Sequence, residues 1–578
     1  MKRIPFFNSP VLNRQMPMWR AKLVFLLLMA GFSALLAKAL YLQTMDDEFL
    51  QAQGERRYER TLVLPATRGK IFDRSGSVVL AASVPARAIW AIPEDTRAAS
   101  DKQIADLAKL LDMSEADIRA RVADTKRTFV YIKRQVSLDV ADKVRQLNVP
   151  GFYQQGEMKR IYPEGSLMAH VLGFTNIEDH GIEGVELAFN DALSGEAGSR
   201  RVIKDRLGRV IEDVQAVVAP VDGKDLRISI DAGLQYDTYT ALKQAKEENK
   251  ALAAAGVVLD VQTGEVLALV NLPSYDPNDR GDRKGNALRN RAMVDTFEPG
   301  STMKPFTVAL ALDKQKVNMN TKFDTGNGQY RFHGATITDV SRNGVINVAD
   351  IVRRSSNIGM AMISERLNAK DMWTTFSELG FGRAPEANFP GVASGRLRPW
   401  ERWRPIEQAT MAYGYGLSVS LLQLAQAYTV FARDGDIVSL SLVKREGAAT
   451  SKQVFAPETA RQMRAILEAA AGPDGAKLAQ VQGYRVAGKS GTARKIVNGK
   501  YSRSDYRSSF VGFAPVSNPR IVVAVTIDEP RGGAYYGGRV AAPVFADVVA
   551  ASLRRLGVQP DAPVESMVAV RPNGEIAR

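Results

Sequence analysis

A serine and a lysine three residues apart have the types and spacing of a nucleophile and its base. Residues 298–305 read EPGSTMKP, in which Pro299 and Gly300 break the preceding chain, so that Ser301 is predicted to open a helix. Because positions i and i+3 share one face of a helix, the Ser301 hydroxyl and the Lys304 amine are expected to lie close together. The pattern is weak alone, since chance copies are common and most lie on solvated helix surfaces.

Two later motifs give this pattern its specificity. Residues 355–357 read SSN on a predicted helical stretch at 350–367, and residues 489–492 read KSGT on a predicted strand at 485–496. A Ser-x-x-Lys motif, a Ser-x-Asn-type element and Lys-Thr-Gly together are the signature of β-lactamases and penicillin-binding proteins. All three occur here in that order, with Ser490 at the threonine position. The sequence therefore predicts a serine enzyme that forms an acyl intermediate.

The residue types also limit the choice of base. A serine hydroxyl is a poor nucleophile until a base takes its proton. The three histidines, His170, His180 and His333, lie outside the motifs, which argues against a Ser-His-Asp triad and leaves them structural roles. Lys304 is then the candidate base, and burial together with the second cation Lys489 should lower its pKa so that it can be neutral.

The strand of the third motif is expected to belong to a sheet that accepts a substrate strand. Its Gly491 has no side chain, so a substrate backbone is expected to run close beside it and pair with it. Gln262-Thr263-Gly264 joins two apolar runs and predicts a hairpin. Strands are predicted at 226–231, 255–261, 265–271, 485–496, 508–515 and 520–528.

Between the hairpin and the last three strands the pattern is largely helical. Helices are predicted at 301–312, 350–367 and 421–432, and another at 234–248 precedes the hairpin. Strands at both ends of a segment with helices between them indicate a single antiparallel sheet whose halves enclose a helical subdomain.

The residues before this region have a different pattern. Short extended runs are predicted at 61–65, 78–83 and 129–132, and residues 104–122 have helical spacing with acidic residues interspersed. A linker or domain seam is expected near 221–225, where glycine and charge punctuate the chain.

An apolar run near the N-terminus predicts a membrane anchor. Residues 21–42 reach the roughly 20 residues that a spanning helix needs, and Lys38 lies near the end, where it can snorkel to the interface. The residues before Leu23 carry five basic side chains and no acidic one, whereas Asp46, Asp47 and Glu48 follow the run. The positive-inside rule then places the N-terminus in the cytoplasm and the rest outside.

The alternative for this run is a cleaved signal peptide. Ala37-Lys38-Ala39 imitates a small-residue cleavage site. The apolar residues continue beyond that site, and the apolar region of a signal is usually shorter. We therefore predict a retained anchor, a prediction that fails if the mature protein begins near Leu40.

Composition excludes several classes of protein. The 578 residues exceed one ordinary core, and 45% hydrophobic with 24% charged residues is typical of folded domains. The net charge of +14 is spread along the chain without a nucleic-acid-binding signature, so we interpret it as a solvated basic surface and predict no nucleic-acid partner. The absence of cysteine excludes disulfides and thiolate catalysis.

At these motifs the sequence resembles the class B penicillin-binding proteins, and more closely their cell-division D,D-transpeptidases of the FtsI type, over nearly the whole chain. In the N-terminal half the resemblance is carried by RG at 68–69, DRSG at 73–76, RIYPEG at 160–165, AH at 169–170 and GIEG at 181–184. In the C-terminal half it is carried by YGYGLS at 413–418, by residues 508–515, by YYGG at 535–538 and by APVF at 542–545. Elongation-type relatives usually have a Gly-Gln-Gly element near 413–418.

The sequence departs from the family pattern at three places. Residues 76–80 hold one extra residue, Ser490 replaces the commoner threonine, and FPGV at 389–392 lacks the glutamate that often follows its glycine. The first concerns only the non-catalytic half, and the second keeps a hydroxyl.

The resemblance implies an α+β fold with a catalytic domain of the β-lactamase/transpeptidase type, in which an antiparallel sheet has helices on both faces plus a helical subdomain. An elongated α+β pedestal and one transmembrane helix would precede it. The expected segments are a cytoplasmic tail (1–20), the anchor (21–42), a dimerisation-type pedestal (43–225), the transpeptidase domain (226–560) and a flexible tail (561–578).

The resemblance also implies a role for each motif residue. Ser301 would attack a peptidoglycan stem ending in D-Ala-D-Ala, Lys304 would be the general base, and Ser355 would relay the proton to the departing D-Ala. Asn357 would hold the substrate amide and orient Lys304, and Lys489 would bias the local field. The terminal carboxylate would be bound by Lys489, Ser490 and Thr492, and the oxyanion by the backbone N–H groups of Ser301 and Thr492.

Partners and location follow from the same resemblance. Expected partners are peptidoglycan stems, β-lactam antibiotics, which would acylate Ser301, and divisome membrane proteins that include a glycan-polymerising glycosyltransferase. No metal or cofactor is implied. The catalytic domain is expected in the periplasm at the septum, on a single-pass protein of the bacterial inner membrane.

Three alternatives remain open from the sequence. The same fold could use water as acceptor, as a D,D-carboxypeptidase or β-lactamase does. It could be a non-enzymatic β-lactam sensor or divisome scaffold, although the presence of all the motifs argues against a silent site. It could also serve cell elongation.

Overall fold

The computed structural model describes four parts of the chain, residues 17–44, 59–64, 66–204 and 210–563. The chain divides into two compact units. Unit 1 comprises residues 1–66 and 196–221, and unit 2 comprises residues 67–195 and 222–578. Of the two predicted tails, residues 1–16 and 564–578 lie outside the described residues. The predicted domain boundaries stay predictions.

The helices are numbered here in chain order. They are α1 Met18–Thr44, α2 Asp101–Leu111, α3 Glu115–Val122, α4 Leu138–Gln146, α5 Ala169–Leu172, α6 Gly184–Ala188, α7 Asn190–Ser194, α8 Ala232–Glu248, α9 Arg291–Val294, α10 Lys304–Asp313, α11 Val348–Arg353, α12 Asn357–Glu365, α13 Ala369–Glu378, α14 Pro405–Ala412, α15 Leu421–Ala432, α16 Pro457–Ala471, α17 Gly537–Val540 and α18 Ala542–Arg555.

The strands are numbered in the same way. They are β1 Glu59–Leu64, β2 Ile71–Phe72, β3 Val79–Ala91, β4 Val130–Val136, β5 Phe152–Ile161, β6 Gly198–Lys204, β7 Val210–Val218, β8 Leu226–Arg227, β9 Ala253–Asp260, β10 Val266–Leu272, β11 Lys322–Asp324, β12 Gln329–Phe332, β13 Ala335–Thr338, β14 Val345–Asn347, β15 Asp436–Val438, β16 Ser451–Gln453, β17 Ala487–Val497, β18 Lys500–Ala514 and β19 Ile521–Asp528.

Unit 1 contains the apolar helix and a small sheet. The stretch Met18–Leu42 of α1 is long and apolar enough to cross a bilayer, with a mean hydropathy of 2.2, and its apolar side chains are exposed. It fits a single-pass membrane anchor, as predicted for residues 21–42. The strands β1, β6 and β7 form an antiparallel sheet in that order.

The first part of unit 2 is built around the long strand β3, which pairs with β4 and β5. The helical spacing predicted over 104–122 belongs to two helices: α2 ends at Leu111, the following Asp112 takes a left-handed conformation (φ 48°), and Ser114 caps α3 by accepting from the N–H of Asp117. Apolar residues of α2, α3 and α4 cover one face of this sheet.

Three of the N-terminal motifs meet in a buried ion cluster in unit 2. Glu186 is fully buried and accepts from Arg68 Nε at 2.6 Å and from Arg160 Nε at 2.7 Å. A buried carboxylate is stable only when it is paired and hydrogen-bonded. This cluster therefore gives the motifs at 68–69, 160–165 and 181–184 a common structural role, because the first two supply its arginines and the third directly precedes Glu186.

The central sheet of unit 2 has five antiparallel strands in the order β10-β9-β19-β18-β17. The predicted hairpin and the predicted strands at 485–496, 508–515 and 520–528 are confirmed, although the second begins at Lys500. Of the predicted strand at 226–231 only Leu226–Arg227 forms one. The sequence prediction of one antiparallel sheet assembled from both ends of the segment is confirmed.

Helices cover both faces of this sheet, as the predicted fold class requires. Neighbouring residues of β9 point to opposite faces, so Val258 packs with α8 and α18 whereas Val257 packs in the larger core with α10 and α15. The helix α15 is buried along its whole length, and Ser420 caps its start by accepting from Gln423 N–H. The sheet and α15 form the rigid base beside which the motifs lie.

Candidate active site

Ser301 lies on a tight turn that leads into α10. Residues Gly300–Met303 form a 3-10 turn, and α10 follows from Lys304 with Pro305 in its first turn, where a missing N–H costs little. The Gly300 N–H donates to Gly414 O at 3.0 Å, and the Tyr428 hydroxyl donates to Thr302 O at 2.8 Å. The turn is thereby fixed from both sides, in place of the single helix predicted at 301–312.

Ser355 lies in a break between two helices. The prediction of one helix over 350–367 is wrong, because α11 ends at Arg353 and α12 begins at Asn357. Ser355 has φ 60°, in the left-handed region that residues with a side chain rarely adopt. Such strain persists only where the surroundings enforce it, and it clusters at functional sites. Here it accompanies the placement of the Ser355 hydroxyl beside Ser301.

A continuous chain of hydrogen bonds joins the first two motifs. Lys304 Nζ lies 3.1 Å from Ser355 Oγ and 2.5 Å from Ser355 O, and Ser355 Oγ lies 2.8 Å from Ser301 Oγ. Hydroxyl hydrogens can rotate, so a proton can pass along this chain in either direction. Ser301 and Lys304 are thus brought together through Ser355, whereas the sequence predicted a direct approach on one helix face.

The electrostatics of Lys304 suit a base. Its side chain is fully buried, and burial lowers its pKa well below the ordinary value of a lysine. The charge of Lys489 lowers it further, whereas Asp339 acts in the opposite direction. This agrees with the prediction from the sequence that burial and Lys489 would together favour the neutral amine.

Lys489 extends from β17 into the same buried region. It is 3% exposed, and its Nζ lies 3.0 Å from Ser490 O and 3.4 Å from Ser490 Oγ. Burial lowers its pKa to about 8. Near neutral pH it therefore remains a cation.

The strand β17 forms the outer edge of the sheet, and its only partner in the sheet order of the described residues is β18. An edge strand offers unpaired N–H and C=O groups to an added strand. The substrate pairing predicted for Gly491 stays a prediction, and the structure shows a further reason for the glycine: a Cβ there would lie 2.5 Å from Ser509 Oγ and 2.9 Å from Thr302 Cγ2. The glycine lets the turn of Ser301 approach β17, and Thr492 Oγ1 accepts from Gly537 N–H at 2.9 Å.

Asn357 begins α12, and its predicted contact with a substrate amide stays a prediction. Its Nδ2 donates to Thr338 O at 3.2 Å. The two described hydrogen bonds of Lys304 Nζ both go to Ser355, so no described bond orients Lys304 through Asn357.

Asp339 is a site residue that the sequence analysis missed. It follows β13, and its carboxylate accepts from Ser356 Oγ at 2.5 Å, Asn357 N at 2.6 Å and Ile358 N at 3.1 Å. A carboxylate at a helix N-terminus satisfies free N–H groups and complements the helix dipole. Asp339 therefore fixes the start of α12 and contributes a negative charge near Lys304.

The histidines and possible metal ligands contribute little to this site. His170 is buried, bonds Ala287 O through Nε2 at 2.7 Å and has its pKa lowered to about 4 by burial. Within the parts of the chain that the structure describes, no group of three or more His, Asp or Glu side chains is arranged to hold a metal ion.

The fold and the site together define a serine-type acyltransferase of the penicillin-binding class. The family model "Penicillin binding protein transpeptidase domain" matches residues 254–550, and "Penicillin-binding Protein dimerisation domain" matches residues 63–228. The chain belongs to the class B penicillin-binding proteins, in the family of peptidoglycan D,D-transpeptidases.

Relatives and solved structures agree with this assignment. The chain is 42% identical to the probable peptidoglycan D,D-transpeptidase PenA of Neisseria gonorrhoeae, over 96% of each chain. It is 38% identical to the peptidoglycan D,D-transpeptidase FtsI of Escherichia coli K12, over 94% of this chain and 93% of the relative. The transpeptidase domain of Burkholderia pseudomallei penicillin-binding protein 3 is 50% identical with a TM-score of 0.54, over 58% of this chain and 98% of that one. A peptidoglycan synthetase from Bifidobacterium adolescentis is 27% identical with a TM-score of 0.70, over 87% of this chain and 98% of that one.

Proposed function

We propose that Ser301 is the nucleophile of this transpeptidase, with Lys304 as its general base. The observation that carries this proposal is the hydrogen-bond chain from Lys304 Nζ through Ser355 Oγ to Ser301 Oγ. A neutral amine at the end of this chain can take up the Ser301 proton as the hydroxyl attacks. The lowered pKa of Lys304 supports this role.

The reaction is a two-step acyl transfer. Ser301 Oγ bonds to the carbonyl carbon of the penultimate D-Ala of a stem peptide, and the bond to the terminal D-Ala nitrogen breaks. Ser355 passes a proton to that nitrogen, and D-Ala leaves. An amine of a second stem then attacks the ester, forms the cross-link and returns the proton to Ser301. A β-lactam would acylate Ser301 by opening its ring amide in the first step.

The other motif residues are proposed to bind the substrate. Lys489, Ser490 and Thr492 would bind the terminal carboxylate, and Asn357 would hold a substrate amide. The backbone N–H groups of Ser301 and Thr492 would stabilise the oxyanion, where removal of one donor costs about 3–4 kcal/mol. Addition of the stem as a strand along β17 would place its scissile bond beside Ser301.

The covalent step is tested by mapping the acyl adduct. The full chain in detergent is incubated with a penicillin, digested and analysed by mass spectrometry, and separately assayed for D-Ala release and cross-linking with stem peptides. We expect one adduct, on the peptide that contains Ser301, with slow release. An adduct elsewhere or none at all would contradict the proposal, and rapid penicillin turnover would favour the water-using alternative.

A septal role is the proposed biological setting. The anchor would hold the catalytic domain on the periplasmic face of the inner membrane, where a separate membrane glycosyltransferase of the divisome would supply glycan strands. The similarity to the FtsI protein of E. coli and the YGYGLS segment at 413–418 support division over elongation. Depletion of the protein distinguishes the two, since filaments would indicate division and rounded cells elongation.

The acylation rate is expected to show a bell-shaped dependence on pH. Lys304 must be neutral to act, so the rate rises with pH through its lowered pKa. Lys489 must be charged to bind a carboxylate, so the rate falls above its pKa of about 8. Because the two amines interact, the apparent pKa values of the rising and falling limbs belong to the pair of lysines and not to either one alone. Stopped-flow acylation from pH 5 to 10 measures both, and a rate that still rises above pH 9 would contradict the role of Lys489.

A further inference from the structure

A half-buried carboxylate has two hydrogen-bond partners from different parts of the fold, and it lies beside the turn Gly300–Met303 that carries the proposed nucleophile Ser301, called the nucleophile turn below. Glu298 lies three residues before Ser301, and its Oε1 accepts from Gly416 N at 2.8 Å and from the Tyr501 hydroxyl at 3.2 Å. Its Oε2 is buried and has no hydrogen-bond partner among the residues that the structure describes. Burial also raises the pKa of Glu298. A polar group held in this costly environment calls for an explanation.

The first partner belongs to a segment that is already attached to the nucleophile turn. Phe297 and Val419 exchange backbone hydrogen bonds of 3.0 and 2.9 Å, and the Gly300 N–H donates to Gly414 O. The bond from Gly416 N to Glu298 lies between these two attachments. Residues 297–300 are therefore fixed to residues 414–419 along their length.

The second partner, Tyr501, belongs to the β17–β18 hairpin, whose strand β17 carries the third motif. Tyr501 lies on β18 next to the Asn498-Gly499 turn, at the free end of the hairpin formed by β17 and β18. β17 is the strand that carries Lys489 to Thr492. The end of the hairpin is open to solvent: Ile496 is 55% exposed and Tyr501 49% exposed. An element with few buried contacts opens readily unless specific bonds hold it.

Two ring contacts reinforce the bond between Tyr501 and Glu298. Tyr501 packs edge-to-face on Tyr415, with ring centroids 6.0 Å apart. Further along β18, the guanidinium of Arg507 lies 4.9 Å from the ring centroid of Phe297. The hairpin thus touches the chain just before the nucleophile turn at two successive residues, Phe297 and Glu298.

A shift at Glu298 would pass directly to Ser301. Between them stand Pro299, whose ring fixes its φ, and Gly300, whose N–H is bonded to Gly414. Pro299 O also accepts from Thr302 Oγ1 at 2.8 Å. The four residues from Glu298 to Ser301 are therefore expected to move as a unit.

We propose that Glu298 is a positioning residue for acylation: its bond to Tyr501 holds the end of the β17–β18 hairpin against the nucleophile turn and sets the width of the cleft between Ser301 and Ser490–Thr492. The proposal rests on Ser301 being the acylated residue. A misplacement of reacting groups by about 1 Å can cost about 100-fold in rate, so a bond of this kind acts on the chemical step more than on stability.

The test is a double-mutant cycle on the full chain in detergent. Variants E298A, E298Q, Y501F and the double variant E298A/Y501F are acylated with a fluorescent penicillin in a stopped-flow instrument, which separates the acylation rate constant from the dissociation constant of the initial complex. We expect Y501F and E298A each to lower the rate constant about 10-fold. The double variant should lose no more than E298A alone, whereas independent effects would multiply to about 100-fold.

Conservative and surface variants serve as matched controls. E298Q keeps an oxygen at Oε1 and should stay within about threefold of the wild type. E458Q and Y236F change an exposed glutamate on α16 and an exposed tyrosine on α8 and should leave the rate constant unchanged. Y501F removes one hydroxyl from a half-exposed ring, so it carries the test even if E298A does not fold.

The outcomes separate this proposal from the proposed function. A Y501F rate constant equal to that of the wild type, or multiplicative effects in the double variant, would overturn the positioning role while leaving Ser301 as the nucleophile. A smaller acylated fraction with an unchanged rate constant would also overturn it, because it indicates only a stabilising contact. A wild-type chain that is not acylated at all would overturn the proposed function itself.

Discussion

Replacement of Lys304 by methionine is expected to lower the acylation rate constant of Ser301 about 1000-fold. General base catalysis by a positioned side chain contributes roughly 100- to 10,000-fold, and Lys304 is the proposed base at the end of the Ser355–Ser301 hydrogen-bond chain. Methionine fills a similar volume in this fully buried position and carries no charge. K304M should therefore unfold at a temperature no lower than the wild type. Stopped-flow acylation and thermal unfolding measure the two effects separately.

A second lysine at the end of the same helix provides the control. Lys314 follows α10 and is exposed, so K314M makes the same substitution next to the same helix without touching the hydrogen-bond chain. Its rate constant should equal that of the wild type. If K304M retained more than about a tenth of the wild-type rate, another group would have to be the base.

Replacement of Gly414 by alanine is expected to disturb the nucleophile turn itself. Gly414 has φ +91°, and a Cβ there would lie 2.0 Å from Gly300 O, so one of the two backbones must move. Gly300 is covalently bonded to Ser301, and a shift of about 1 Å there costs about 100-fold in acylation rate. The acylation rate constant and the melting temperature of G414A should both be lower than those of the wild type.

Gly416 distinguishes this collision from simple backbone strain. It has φ +85°, yet a Cβ there would meet nothing closer than Met411 Cε at 3.6 Å. G416A therefore suffers about 1–2 kcal/mol of backbone strain without a collision. It also keeps the backbone N–H that donates a hydrogen bond to Glu298 Oε1. It should acylate within about threefold of the wild type. Equal losses in G414A and G416A would show that strain, and not displacement of Gly300, is responsible.

The sequence predicted the sheet well because its strands are buried on one or both faces and rich in Val and Ile. The exception is the first half of β18, residues 500–507, which was not predicted as a strand. These residues extend the hairpin away from the core. They are mostly polar and do not alternate between buried and exposed positions, so the pattern that predicts a strand is missing. The Asn498-Gly499 turn was the one local signal for it.

The break at Ser355 shows a different limit. Residues 350–367 have helical periodicity, and the interruption depends on one residue with positive φ. Ser356 could have revealed it, because serine is a preferred N-cap and here accepts from Gly359 N–H at 2.9 Å. The same reasoning applies to Ser114 between α2 and α3.

Asp339 and Glu298 could not be assigned from spacing. Asp339 reaches Asn357 from a loop after β13, and Glu298 meets Tyr501 more than 200 residues away. Such contacts depend on the tertiary arrangement, and no local pattern encodes them. The motif serines and lysines were recognisable because three short patterns occur together, whereas the groups that hold them carry no pattern of their own.

The order of strands in the central sheet has a consequence for synthesis of the protein. Val257 of β9 pairs with Ala524 of β19, about 270 residues later. At about 5–20 residues per second, β9 must wait roughly 15 to 50 s for its neighbour to be made. Throughout that time its apolar face and unpaired edge are open to other chains, because pairings this distant form late. The nascent chain is therefore most vulnerable to aggregation before β19 emerges, and a chaperone that covers β9 and β10 would act in that interval.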